Sequence, residues 1–332
     1  MNSYVLCVRN VEGGKFGSDI GETTYLQIPW SGAANAIPKT KEPVPSNAMK
    51  DVREWLQAIA ADATADGVDD QPLQVVFFVH GYNTPPLEAL KRQRLVESEL
   101  RKRNLPCMVV GFDWPTGESA AGYLWDRNRA SGAALSLVTD GIFPFALFTQ
   151  DDCKIQVSIM AHSMGGYVVR EAFRGADKAR TAQIPSNWRV GQMVFFAADV
   201  SSSCFATGGE MEPVFSHSGR LTNYFSGYDT ALAVSNVKNM DISSRVGRVG
   251  MPADKPTSHK AIDVNCGDQY ASRNGKQFKV IDGMESHSWY LEDSVWYDDL
   301  VHTLRGEFDR NLITTRRPDP SGLADDFILV DA

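Results

Sequence analysis

The sequence predicts an α/β fold in which a mostly parallel central sheet carries helices on both faces and an antiparallel hairpin at its N-terminal edge. Three observations lead there. Short β-rich runs alternate with helical patterns along most of the chain, and strands joined through helices lie parallel. Several of those runs, such as Leu73-Gln74-Val75-Val76-Phe77-Phe78-Val79, are almost continuously apolar, as strands covered on both faces are. The first two runs, Tyr4 to Val11 and Thr23 to Ile28, are separated only by Gly13-Gly14-Lys15-Phe16-Gly17 and the few residues after it, too short for a crossover helix.

The elements follow in order. Met49, Val52, Trp55, Ile59 and Ala63 recur at helical spacing, with Ser46 and Asn47 as candidate caps. The apolar strand from Leu73 to Val79 ends in His80-Gly81-Tyr82-Asn83. A helix from Pro86 to about Asn104 leads to a second buried strand, Cys107 to Phe112. Gly122 to Val138 reads as a helix, Lys154 to Met160 as a strand, and a further helix begins near Met164. Later strands are expected at Gly191 to Ala197, Leu221 to Phe225, Ala261 to Cys266 and Phe278 to Ile281, with a long loop from Asp241 to Ser258. No repeat or linker divides the chain. We therefore expect one domain over residues 1–332: an N-terminal hairpin and helix (1–70), a catalytic core (71–308) and a polar, acidic tail (309–332).

Composition excludes several classes. With 332 residues, 43% of them apolar, the chain can bury a large core without disulfides or metals. A net charge of −8 and the absence of any long Lys/Arg run argue against nucleic acid as a partner. The five cysteines are scattered and never form a CxxC pair, which fits neither a disulfide framework nor a zinc site, and reads as reduced thiols in a cytoplasmic protein. The start lacks the features of a signal peptide, and no uninterrupted apolar run approaches membrane-spanning length, so no transmembrane segment is expected.

The segment Ala161-His162-Ser163-Met164-Gly165-Gly166 falls where a buried strand must turn abruptly into a helix. At such an elbow a serine takes a strained backbone conformation, small neighbours let strand and helix approach, and the hydroxyl projects free of the sheet. Ser163 is thus the candidate nucleophile, and the backbone N–H of Met164, at the helix N-terminus, is a candidate oxyanion donor. Ala161 departs from the usual G-x-S-x-G pattern by one methyl group. His80-Gly81-Tyr82-Asn83 emerges at the same carboxyl edge of the sheet. The N–H of Tyr82 is the second oxyanion candidate, and Asn83 is placed to fix the loop or touch substrate.

Together with Phe112-Asp113-Trp114-Pro115, Ala198-Asp199-Val200 and Tyr224-Phe225-Ser226 followed by Asp229, Ala231 and Leu232, these motifs resemble the α/β-hydrolase superfamily, in a bacterial esterase/lipase-like branch. The resemblance spans roughly residues 73 to 300. It implies a Ser-His-acid triad, an ester as the small-molecule substrate, and no metal or organic cofactor.

A serine hydroxyl needs a base held by a carboxylate. Of the six histidines, His80 and His162 adjoin the motifs just described, and both read as structural. In this fold the partners follow in the order Ser, acid, His, the histidine lying after the last strand. His287 fits, standing after the Phe278 to Ile281 run and before an apolar-periodic helix. Its neighbour Trp289 is expected to touch substrate. Two carboxylates compete for the acid. Asp229 follows the second strand after Ser163, the usual position, and Asp199 follows the first. The same triad would also serve an acyltransferase or an amidase, and a noncatalytic binding protein of this fold would be expected to have lost one of its members.

Overall fold

A computed structural model describes residues 2–30, 42–65, 73–117, 123–148, 155–179, 188–238, 244–257, 259–273, 285–307, 310–321 and 326–331. The first strands, β1 (Asn2–Glu12) and β2 (Lys15–Pro29), pair antiparallel, and the second begins at once after a turn through Gly13 and Gly14. Those two glycines, at φ 56° and 78°, supply the left-handed backbone that the turn requires, so β2 starts well before the expected Thr23. Parallel strands follow: β3 (Leu73–Val79), β4 (Cys107–Asp113), β5 (Ile155–His162), β6 (Val190–Phe196), β7 (Ser218–Phe225) and β8 (Ala261–Asn265).

The whole sheet has the order β2-β1-β4-β3-β5-β6-β7-β8-β10-β9. Its last two members correct the sequence reading. β9 (Arg316–Pro318) and β10 (Phe327–Leu329) lie in the segment expected to be a polar tail, yet β10 pairs parallel with β8 and antiparallel with β9. Three consecutive apolar residues, Phe327, Ile328 and Leu329, are buried there. The expected strand Phe278 to Ile281 lies outside the described residues. The described part of the expected loop from Asp241 to Ser258 contains a helical turn, α8 (Val246–Val249), after α6 (Glu212–His217) and α7 (Thr230–Lys238).

Alternation along β3 shows how the two faces are filled. Val75, Phe77 and Val79 join one core, with Trp55 of α1 (Val52–Ala65) and Val168 of α5 (Met164–Lys178). Val76 and Phe78 join the other, with Val96 of α2 (Pro86–Lys102) and Leu300 of α11 (Ser294–Arg305). The α1 start is capped by Asp51, whose Oδ1 accepts from Glu54 N at 2.9 Å, and not by Ser46 or Asn47, which lie in the preceding 3₁₀ turn.

The expected helix Gly122 to Val138 runs further than periodicity suggested. α3 (Tyr123–Ser136) passes through a π-helical stretch, Leu137–Ile142, into α4 (Phe143–Phe148). A Cβ on Gly141 would lie 2.9 Å from Leu6 Cδ2, so the helix rests directly on the sheet there. Arg127–Phe148 is one helix long and apolar enough, by length and composition, to cross a membrane. Its Ala130, Ala134, Leu137, Val138 and Phe145 are buried against the first core.

Candidate active site

Ser163 occupies the single residue between β5 and α5, at φ 55° and ψ −126°. That left-handed conformation strains a non-glycine residue by about 1–3 kcal/mol and persists only where its surroundings over-determine it. Here they do. Ser163 N donates to Phe196 O at 3.3 Å, and the Ser163 carbonyl accepts from Gly166 N at 3.0 Å and Asp199 N at 2.9 Å. A Cβ on Gly165 would stand 2.3 Å from Val79 O, so only glycine lets α5 approach β3 this closely. Ala161 sits fully buried in β5 between Val79 and Phe195, where its methyl group is accommodated.

The loop after β3 meets the elbow. A Cβ on Gly81 would lie 2.7 Å from Ser163 Cβ, which accounts for glycine at this position. Tyr82 is half-buried, and its carbonyl accepts from the Thr84 hydroxyl at 3.1 Å. Asn83 is exposed at φ 50° and forms the tip of the turn. Behind the loop lies a buried polar network that sequence reasoning missed in part. Arg9 of β1 donates from Nε to Asp113 Oδ1 at 2.8 Å and from Nη2 to Thr84 O at 3.0 Å. His80 places Nδ1 2.9 Å from Gly81 O and Nε2 3.1 Å from Asp113 Oδ1, while its ring stacks on Trp114. Burial pushes the Asp113 carboxyl up, but the Arg9 guanidinium and the His80 hydrogen bond outweigh it, leaving the pKa below its ordinary value. Burial dominates at His80 and holds the imidazole below its usual range, against the opposing pull of Asp113.

The two carboxylates that compete in the sequence have different partners. Asp229 follows β7 and caps α7, its Oδ1 accepting from Leu232 N at 2.9 Å. Its Oδ2 accepts from His287 Nδ1 at 2.7 Å. His287 stands in the one-turn helix α10 (Glu285–Ser288), after α9 (Gly267–Ser272). The adjacent Ser286 hydroxyl ties α10 to the start of α7, accepting from Thr230 N at 3.2 Å and sharing a 2.8 Å hydrogen bond with the Thr230 hydroxyl. Asp199 instead faces Arg245, Oδ1 to Nε 3.2 Å, with both side chains buried.

Burial alone would lower the His287 pKa, but the charge and hydrogen bond of Asp229 outweigh it, Asp199 adds to the rise, and Arg92 opposes it. The net shift is upward. With Nδ1 committed to Asp229, Nε2 is the nitrogen free to take a proton. Among the described residues the Ser163 hydroxyl makes no hydrogen bond, so the structure joins Asp229 to His287 and leaves the serine open. Catalytic hydrogen bonds in free enzymes are often long and tighten with substrate.

Trp289, expected to touch substrate, is fully buried in the second core, stacked on Tyr290 at 4.4 Å and 5.6 Å from the Tyr270 ring.

The strand order and the turn that carries Ser163 define the class: this is a hydrolase of the α/β-hydrolase fold. The chain belongs to the family described as alpha/beta hydrolase of unknown function (DUF900), whose model matches residues 60–267. The match includes Ser163, Asp199, Asp229 and the loop at Gly81, and ends before His287. Among solved structures, the chain is similar to fungal esterases from Rhizomucor miehei, at 11% identity and a TM-score of 0.35, covering 72% of this chain and 76% of that one. It is also similar to a lipase-esterase related protein from Clostridium acetobutylicum ATCC 824, at 14% identity and a TM-score of 0.23, covering 60% of this chain and 76% of that one. No curated protein matches it.

Proposed function

We propose that this hydrolase cleaves carboxylic esters through an acyl-enzyme on Ser163, with His287 as base and Asp229 as the triad carboxylate. The observation that carries the reading is the 2.7 Å contact between His287 Nδ1 and Asp229 Oδ2, formed by segments that both lie at the serine's edge of the sheet. In acylation, His287 Nε2 removes the Ser163 proton as the oxygen attacks the ester carbonyl carbon. Negative charge moves to the carbonyl oxygen, toward the N–H groups of Tyr82 and Met164. The first turn of a helix leaves its N–H groups unpaired within the helix, which frees Met164 for this task. Asp229 stabilises the imidazolium, which passes its proton to the departing alkoxide. Water then repeats the sequence on the acyl-serine and releases the acid.

The test is a p-nitrophenyl ester series of increasing acyl length, run beside a serine-directed fluorophosphonate. Turnover of short to medium esters, with Ser163 as the labelled residue, is expected. Folded protein that neither turns over any ester nor labels at Ser163 would refute the proposal.

The pH profile carries its own expectation. The base works only when neutral, and Asp229 raises its pKa, so kcat/KM should rise with pH along a single limb centred above the ordinary imidazole value of 6.5. A limb centred below that value, or a flat profile, would remove His287 from the role.

A further inference from the structure

We infer that His162 is a positioning residue that sets the distance between nucleophile and base, and that it works as a permanently neutral hydrogen-bond donor; this rests on the reading of His287 as the base. The Nε2 of His162 lies 3.1 Å from the backbone carbonyl oxygen of His287. A carbonyl only accepts, so Nε2 carries the proton, which fixes the tautomer. The ring packs against two others, stacked on Phe196 at 4.9 Å and inclined at 45° to the His287 ring at 4.9 Å.

The significance lies in where His162 stands in the chain. It is bonded directly to Ser163, and it grips the backbone of His287, 125 residues further on. One side chain therefore links the two segments that have to exchange a proton. The other side-chain bonds described for α10, from His287 to Asp229 and from Ser286 to Thr230, lie on its α7 side. In the sequence His162 reads as structural because it flanks the serine, and nothing in the local motif shows what its ring reaches.

Neutrality matters because a cation here would sit against the imidazolium that forms during catalysis. His162 Nδ1 is buried and among the described residues has no hydrogen-bond partner, so a second proton there would meet no acceptor among them. The charged and titratable groups around it, His287 on α10, Arg92 on α2 and His80 after β3, all disfavour a positive charge on this ring. With burial, they hold the imidazole well below its ordinary value. A lysine or arginine could make the same hydrogen bond only at the cost of opposing the base's protonation. An uncharged donor avoids that conflict.

Two substitutions separate positioning from packing. His162→Gln retains an N–H donor that reaches the place of Nε2, whereas His162→Leu fills similar space without one. The leucine variant should lose about 10²-fold in kcat with KM within about threefold, the scale of a misplaced catalytic group, and glutamine should recover to within about tenfold of wild type. Nitrogen-15 NMR of imidazole-labelled wild-type protein should show one histidine fixed as the Nε2–H neutral tautomer from pH 5 to 8. A leucine variant with wild-type kcat, a glutamine variant no better than leucine, or a His162 that titrates in that range would each overturn the inference. Should the leucine variant not fold, the glutamine variant and the tautomer still decide it. His287→Ala is the control. If it retains turnover, the base assignment fails, whereas an inactive His287→Ala beside an unaffected His162→Leu sinks only the positioning role.

Discussion

Replacing Ser163 with alanine should lower ester turnover by on the order of 10⁵-fold or more, since loss of the serine nucleophile alone removes nearly all of a triad's contribution. What survives is the capacity of the Tyr82 and Met164 N–H groups to polarise a bound carbonyl. Stability should change little. Alanine has the same Cβ as serine and meets the same strain at φ 55°, and the backbone bonds that hold the elbow are untouched. The checks are burst kinetics, fluorophosphonate labelling and the thermal midpoint. Turnover within tenfold of wild type, with labelling retained elsewhere, would place the nucleophile on another residue.

The second large effect is a crossed pattern between two aspartates. Asp229→Asn should lower kcat by about 10⁴-fold, because an amide beside His287 Nδ1 favours the wrong tautomer and offers no charge to the imidazolium. Its oxygen can still cap α7, so the melting temperature should fall little. Asp199→Asn should do the opposite. It leaves the buried guanidinium of Arg245 facing an uncharged amide, and breaking a buried pair costs about 3–5 kcal/mol. Turnover per folded molecule should fall by less than about tenfold, equivalent to about 1.4 kcal/mol. The acid limb should also move to lower pH, since Asp199 helps to raise the His287 pKa. If the kinetic loss follows Asp199 and the stability loss follows Asp229, the acid has been assigned to the wrong strand.

Much of this arrangement can be read from the sequence because its signals are local. The strand from Leu73 to Val79 announces itself by uninterrupted apolarity, and the elbow by small residues around Ser163 at a strand-to-helix junction. Between Asp199 and Asp229 the sequence offers only position along the chain, which favours Asp229, and no sign of what either carboxylate touches. Both follow consecutive parallel strands and reach the same edge of the sheet, and what separates them is that Asp199 faces Arg245 while Asp229 faces His287. Arg9 was hidden for a related reason. It is one charge in an N-terminal strand, and its partners Asp113 and Thr84 are distant in sequence. The strand at Phe327 to Leu329 escapes recognition because one run of four apolar residues, Phe327 to Val330, gives no periodicity to recognise.

That late strand bears on the order in which the molecule assembles. β8 gains β10 as a neighbour only when Phe327–Leu329 is available, and among the described residues Asp299 of α11 finds its counter-charge in Arg316. Arg316 is buried, and its guanidinium also bonds the Thr303 hydroxyl and the Tyr224 hydroxyl, so an entire polar cluster waits on this segment. A growing polypeptide that has passed Asp299 but not Arg316 carries every proposed catalytic residue, yet presents an open apolar strand edge and an uncompensated acid. Open edges of this kind template pairing between chains. The hazardous interval in biosynthesis thus falls after the chemistry has been encoded and before the sheet is closed, and it is then that a chaperone would have most to protect.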